Sequence, residues 1–204
     1  DANNVTGCAS VECMSLMNRF LGVRTVGVAS SSSTSTGGSS SSSSAPSKYV
    51  CVVQPGMLVR DLIKYLAARN LCLPSLPILL DQTCGGAIGT GSHGSSPHWG
   101  TLSDMVAGVE VVLPCGEVKR VNSDTAGTES SCGGGMLMKG LRESLGRLGT
   151  ITKIEFNVVP VYNVIRETTV LDAAVLQSYA AADSPLKLLM AESEHLWLHW
   201  RLQG

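Results

Sequence analysis

Between Asp81 and Ser96 the chain reads DQTCGGAIGTGSHGSS, with glycines at 85, 86, 89, 91 and 94 among small hydroxyl residues. Each glycine in a helix interior costs about 1 kcal/mol against alanine. The run is therefore expected to be a loop and not the interior of a helix. Without Cβ atoms it lets a ligand approach the backbone closely. Successive N–H groups of such a loop can turn inward as an anion-binding nest, and the hydroxyls of Thr83, Thr90, Ser92, Ser95 and Ser96 suit a polyol or phosphate. Apolar segments on both sides distinguish it from a free surface loop. No GxxxxGK[ST] is present, and Gly89-Thr90-Gly91 is not followed by an obvious helix start. An ordinary mononucleotide or dinucleotide loop is thereby excluded.

Length and charge narrow the field further. A chain of 204 residues holds one large domain, or one domain and a piece of another. The net charge is −1 with dispersed basic residues, which gives no nucleic-acid footprint. No apolar run approaches the roughly 20 residues that span a bilayer. The chain starts Asp1-Ala2-Asn3-Asn4 and stops at Gln203-Gly204, so truncation at both ends is expected. Seven cysteines without CxxC or metal-like spacing point to reduced thiols in an intracellular compartment. Cys84, inside the glycine run, reads as a small buried hydrophobe before it reads as a redox group.

Along the chain, Ser10 can cap a helix running to about Leu21, and Val23 to Val28 reads as a short strand. Ser30 to Ser44 is thirteen serines and threonines with two glycines. So little apolar surface cannot offset the entropy of ordering, and a flexible insert is expected. Tyr49 to Val53 is a strand, turned by Pro55-Gly56. Met57 to Arg69 is a helix with Leu58, Val59, Leu62, Ile63 and Leu66 on one face. Pro74 and Pro77 make Leu71 to Leu80 an extended connector. Met105–Leu113 and Glu117–Val121 form a hairpin around Pro114-Cys115-Gly116. Asn122 to Gly135 is a loop and Met136 to Leu145 a short helix. In Thr150 to Pro160, Thr152, Ile154, Phe156 and Val158 share one side of a strand. Tyr162–Val170 and Glu194–Arg201 read as further strands, and Ala173–Ala182 as a helix. His195 and His199 stand four apart, but without a helix or third ligand no metal pair is expected.

Several of these stretches, in this order, resemble the FAD domain of the vanillyl-alcohol oxidase (PCMH-type) superfamily. They are Val53-Gln54-Pro55-Gly56, Asp81-Gln82-Thr83 with GGAIGTGSHGSS, Gly100-Thr101-Leu102-Ser103-Asp104, and Leu145-Gly146-Arg147-Leu148-Gly149-Thr150-Ile151-Thr152. The resemblance spans Tyr49 to Tyr162 and is greatest to the sugar-1,4-lactone oxidases, which include gulono-, galactono- and arabinonolactone oxidases and alditol oxidase. It implies an α+β fold of two α/β subdomains, the second with an antiparallel sheet. By that scheme residues 1–29 are part of a first subdomain and 30–48 the serine-rich insert. Residues 49–165 are the main FAD-binding subdomain, and 166–204 begin a substrate-binding domain.

The resemblance also implies a site. It places Thr25, Val26, Gly27, Val28, Ala29, Ser30 and Ser31 at the pyrophosphate. It places Thr83, Gly86, Thr90, Gly91, Ser92 and His93 along the ribityl chain, phosphates and ring, and Ile151 by the adenine, its aliphatic side chain against the base. The covalent members carry a flavin-linking His where this chain has Ser30, so the FAD is expected to be non-covalent. On the same reading, Gly91→Val is expected to abolish flavin binding. The implied reaction is oxidation of a sugar lactone at a CH–OH group, as in ascorbate biosynthesis, with oxygen or cytochrome c as electron acceptor. Peripheral membrane association is left open. His199-Trp200-Arg201 is not the family's HWxK-like motif in its context, so no catalytic residue is named. Two alternatives stand beside this: the same domain serving an alditol or a nucleotide-linked sugar, or a non-catalytic remnant.

Overall fold

The sheet is built around one long strand whose alternating residues face two environments. A computed structural model describes residues 16–26, 48–122, 134–170 and 184–199. Its elements are β1 (Phe20–Val26), β2 (Lys48–Val53), α1 (Val59–Ala67), β3 (Leu71–Cys72), α2 (Cys84–Gly89), β4 (Val106–Val112), β5 (Val118–Asn122), α3 (Gly134–Leu141), β6 (Thr150–Pro160) and α4 (Pro185–Glu192). The strands are antiparallel in the order β1-β2-β6-β4-β5, and β3 adds a short pairing to β6. This is an α+β fold with an antiparallel sheet, as the sequence implies.

Ile154, Phe156 and Val158 of β6 are buried, opposite Val53, Cys51 and Tyr49 of β2. Val106, Val109 and Val111 of β4 complete that face, and Leu62 and Leu66 of α1 join the same core. The other face is polar. There Glu110 accepts from Lys153 at 2.8 Å and from Thr152 Oγ1 at 2.8 Å. The Lys153 and Thr152 bonds hold its carboxyl below the usual carboxylate range.

One register shift changes which residues are inside. Glu110 pairs with Lys153 but Val111 pairs with Ile151, so Thr152 is an extra residue on β6. A bulge of this kind swaps the faces beyond it. Ile151 therefore turns into the core at 9% exposure, while Thr152 joins the polar face. This corrects the strict alternation expected from Thr152 to Val158.

The hairpin, α1 and β6 lie where the sequence puts them. Other expectations are revised. Phe20 and Leu21 begin a strand and do not end a helix. The same β1 pairs antiparallel with β2, so Phe20–Val26 and Lys48–Val53 share one sheet. Tyr162–Val170 has no regular structure, is exposed and joins no strand among the described residues. Residues 194–199 are irregular and not a strand. The helix expected at Met136–Leu145 begins at Gly134 and stops at Leu141. α4, opened by Ser184 and Pro185, was not anticipated. The Ser10 helix up to Ser15, the serine-rich tract, the pyrophosphate turn at 27–31 and Ala173–Ala182 lie outside the described residues.

Phe156 is fully buried at the crossing of β2, β6 and β4. Phe156→Ala should destabilise the fold by about 3–5 kcal/mol, read as a lowered denaturant midpoint. A loss below about 1 kcal/mol, within the range of ordinary surface changes, would show that the core does not centre on this strand.

Candidate functional site

The glycine run starts as a helix, against expectation. Thr83 caps α2, its Oγ1 accepting from Gly86 N at 3.1 Å. Ala87 and Ile88 are buried in the core. The backbone is tied at both ends by distant chain. Cys84 N donates to Met57 O and Gly85 N to Pro55 O, each at 2.7 Å. Glu143 N donates to Ile88 O at 3.0 Å and Leu145 N to Gly89 O at 3.1 Å. Tertiary bonds and burial thus override the poor helix propensity of Gly85, Gly86 and Gly89. The Leu145–Thr152 motif begins with a residue bonded directly to this helix. Glu143 and Leu145 hold φ of 59° and 52° to make these bonds, a conformation that costs non-glycine residues about 1–3 kcal/mol each.

The five glycines do different work. A Cβ on Gly85 would stand 2.8 Å from Pro55 Cβ, and one on Gly94 would stand 2.1 Å from Ser75 Oγ. Both are packing glycines. Gly91 has φ +67°, and its Cβ would meet Glu143 Cδ at 2.9 Å. The space beside Gly91 is therefore taken by Glu143, so Gly91→Val tests packing and strain and does not isolate a cofactor contact. Gly86 and Gly89 differ. The Gly86 Cβ would meet only its own cap, Thr83 Oγ1, at 3.0 Å, and the Gly89 Cβ would meet nothing within 4 Å. They differ in exposure too: the Gly86 backbone is exposed, while Gly89 is buried.

Polar groups follow directly. Thr90 Oγ1 donates to Gly86 O at 2.9 Å, and Ser92 Oγ donates to Gln82 Oε1 at 2.8 Å. His93 is exposed and bridges Thr101. Its Nδ1 lies 2.9 Å from Gly94 O. A carbonyl only accepts, so Nδ1 carries a proton, and in the neutral ring Nε2 is an acceptor. Leu196 N donates to Ser95 O at 3.0 Å, and Trp99 Nε1 donates to Glu194 Oε1 at 2.8 Å. The segment after α4 thus packs on the end of the run. Cys84 is fully buried and free. Burial, with Cys51 nearby, pushes its thiol up to about 12, so it is an inert core residue.

The structure therefore gathers Thr83, Gly86, Thr90, Gly91, Ser92 and His93 in one segment. Thr25 and Val26 close the edge strand β1, where Thr25 pairs with Tyr49 and Tyr49 with Val158. Ile151 lies seven residues back along β6, roughly 23 Å away at about 3.3 Å per residue. Its side chain packs in the core and does not wall a surface, a consequence of the Thr152 bulge. Gly27, Val28, Ala29, Ser30 and Ser31 lie outside the described residues. Gln82, bonded to Ser92, joins this segment without a local signal in the sequence.

Residues 39–122 match the family model described as FAD binding domain. This segment is similar to FAD-binding domains, and the match supports FAD as its cofactor. Among relatives, D-arabinono-1,4-lactone oxidase of Eremothecium gossypii is 33% identical over 112 residues, 55% of this chain and 20% of the relative. The Saccharomyces cerevisiae enzyme of that name is 30% identical over the same span and shares. Probable L-gulonolactone oxidase 4 of Arabidopsis thaliana is 34% identical over 125 residues, 57% of this chain and 20% of the relative. A solved structure named solvent-stable cholesterol oxidase aligns with TM-score 0.47 and 18% identity, covering 58% of this chain and 23% of that one. The chain spans about a fifth of the length of the curated relatives it matches.

The residues present fit such a cofactor. An exposed helical backbone at Gly86 gives close approach, and Thr90 and Ser92 supply oxygens beside it. Gly86→Ala should leave the fold intact, because the added methyl meets only the Thr83 cap oxygen, at 3.0 Å. The same methyl should weaken FAD binding at least about tenfold, about 1.4 kcal/mol, in a fluorescence titration. Undiminished affinity in the folded variant would remove Gly86 from the site.

Proposed function

We propose that this chain forms the FAD-binding part of an aldonolactone-oxidase-type oxidoreductase. The observation that carries this reading is the exposed Gly86 backbone of the capped glycine helix with the Thr90 and Ser92 hydroxyls beside it. The similarity to D-arabinono-1,4-lactone oxidases supports the substrate class, a sugar lactone oxidised at a CH–OH carbon.

The bound flavin would supply the hydride acceptor, with oxygen or cytochrome c receiving the electrons afterwards. The chain's own residues bind and orient. Thr83, Gly86, Thr90, Gly91, Ser92 and His93 would hold the cofactor along one backbone segment. Thr83 and Gly91 act by setting that backbone, Thr83 through its cap and Gly91 through its positive φ. Thr25, Val26 and the turn at 27–31 would take the pyrophosphate. Ile151 would contribute through its backbone at the start of β6, since its side chain is buried.

Linkage should be non-covalent, because Ser30 has no imidazole nitrogen with which to form a histidyl–flavin bond. Acid precipitation should release yellow colour into the supernatant, and anaerobic D-arabinono-1,4-lactone should bleach the flavin of the whole protein. Colour held in the washed pellet would overturn the non-covalent reading. Flavin that the lactone leaves oxidised would overturn the substrate class.

A further inference from the structure

Gln82 sits just before the helix cap and is fixed on both sides. Its backbone carbonyl accepts from Val59 N at 3.0 Å. Its side-chain Nε2 donates to Leu79 O at 2.8 Å. A carbonyl cannot donate, so the atom facing Leu79 must be the amide nitrogen, which settles the orientation of the carboxamide. The oxygen then faces Ser92 Oγ at 2.8 Å, and the serine proton must point at it.

Thr90 is constrained the same way. Its hydroxyl donates to Gly86 O at 2.9 Å. The Thr90 and Ser92 oxygens lie 3.4 Å apart, and neither has a proton left to give the other. Each hydroxyl carries one proton and two lone pairs. The pair therefore presents lone pairs only, and the group that satisfies it must be a hydrogen-bond donor. Phosphate oxygens would meet oxygen lone pairs there and lose.

We infer that Gln82 is a positioning residue that makes Thr90 and Ser92 an acceptor-only subsite for the hydrogen-donating part of the flavin, a ribityl hydroxyl or ring N–H, and not for its phosphates. This rests on the FAD reading of the glycine run and narrows it. Gln82 itself acts through Ser92.

The flavin-depleted full chain is titrated separately with riboflavin and with ADP, and with FAD as reference. Ser92→Ala and Gln82→Leu should each weaken riboflavin about three- to tenfold, the range of one lost hydrogen bond, and leave ADP unchanged. The double variant should be no weaker than Ser92→Ala alone, because Gln82 acts by turning the serine proton. Melting temperatures identify a variant that fails to fold, in which case Ser92→Ala alone decides. Loss of ADP affinity with riboflavin retained, equal losses of both, or full riboflavin affinity in Ser92→Ala overturns the assignment. An unsubstituted chain that takes up neither FAD nor riboflavin overturns the flavin reading itself, and the subsite with it.

Discussion

A six-residue helix rich in glycine survives because other parts of the chain hold both of its ends. Pro55 and Met57, just beyond β2, accept from the first N–H groups of α2, and the N–H groups of Glu143 and Leu145, before β6, donate to its last carbonyls. Isolated helices of this length do not persist in water. The strained φ angles at Glu143 and Leu145 are a local cost of that arrangement. What it achieves is a stretch of rigid backbone that is exposed at Gly86 without a side chain of its own in the way. A flexible glycine loop would have to lose conformational entropy each time a ligand bound, whereas this one loses it on folding.

The same two anchors relate the sequence motifs to one another. Val53–Gly56, the glycine run and Leu145–Thr152 are far apart in sequence and adjacent here. Gly100–Asp104 joins them, since Ser103 Oγ donates to Ile88 O at 2.7 Å and Leu102 N to Ser92 O at 2.8 Å. The motifs are therefore largely support for α2. Most of their residues keep the run in place, and few are free to touch a cofactor.

Much of this was legible in the sequence. The apolar stripe of α1, the hairpin at Cys115-Gly116 and the alternation of Ile154, Phe156 and Val158 each carry a local signal. The misses have a common cause, in that long-range contacts decided them. Gly85 and Gly86 argue against helix until Pro55 and Glu143 are in place. Ile151 and Thr152 exchange faces through a bulge set by pairing with β4. Tyr162–Val170 has strand composition but finds no strand partner among the described residues. Gln82 looks like any polar residue until Leu79 and Ser92 close on it. Ser184-Pro185 did carry a local signal, a cap residue before a proline at the first helical turn, and it was overlooked.

A concave surface lies on the polar face of the sheet, away from the glycine run, lined by Arg24, Val26, Lys48, Asn122, Glu155 and Asn157. Arg24 there is ion-paired with Glu155. The two surfaces make the central claim testable in one measurement, hydrogen–deuterium exchange of the full chain with and without FAD. FAD should slow exchange at the amides of Gly86 to His93 and leave those of Asn122 and Asn157 unchanged. Slowing confined to the polar face, with the glycine run unaffected, would contradict the account.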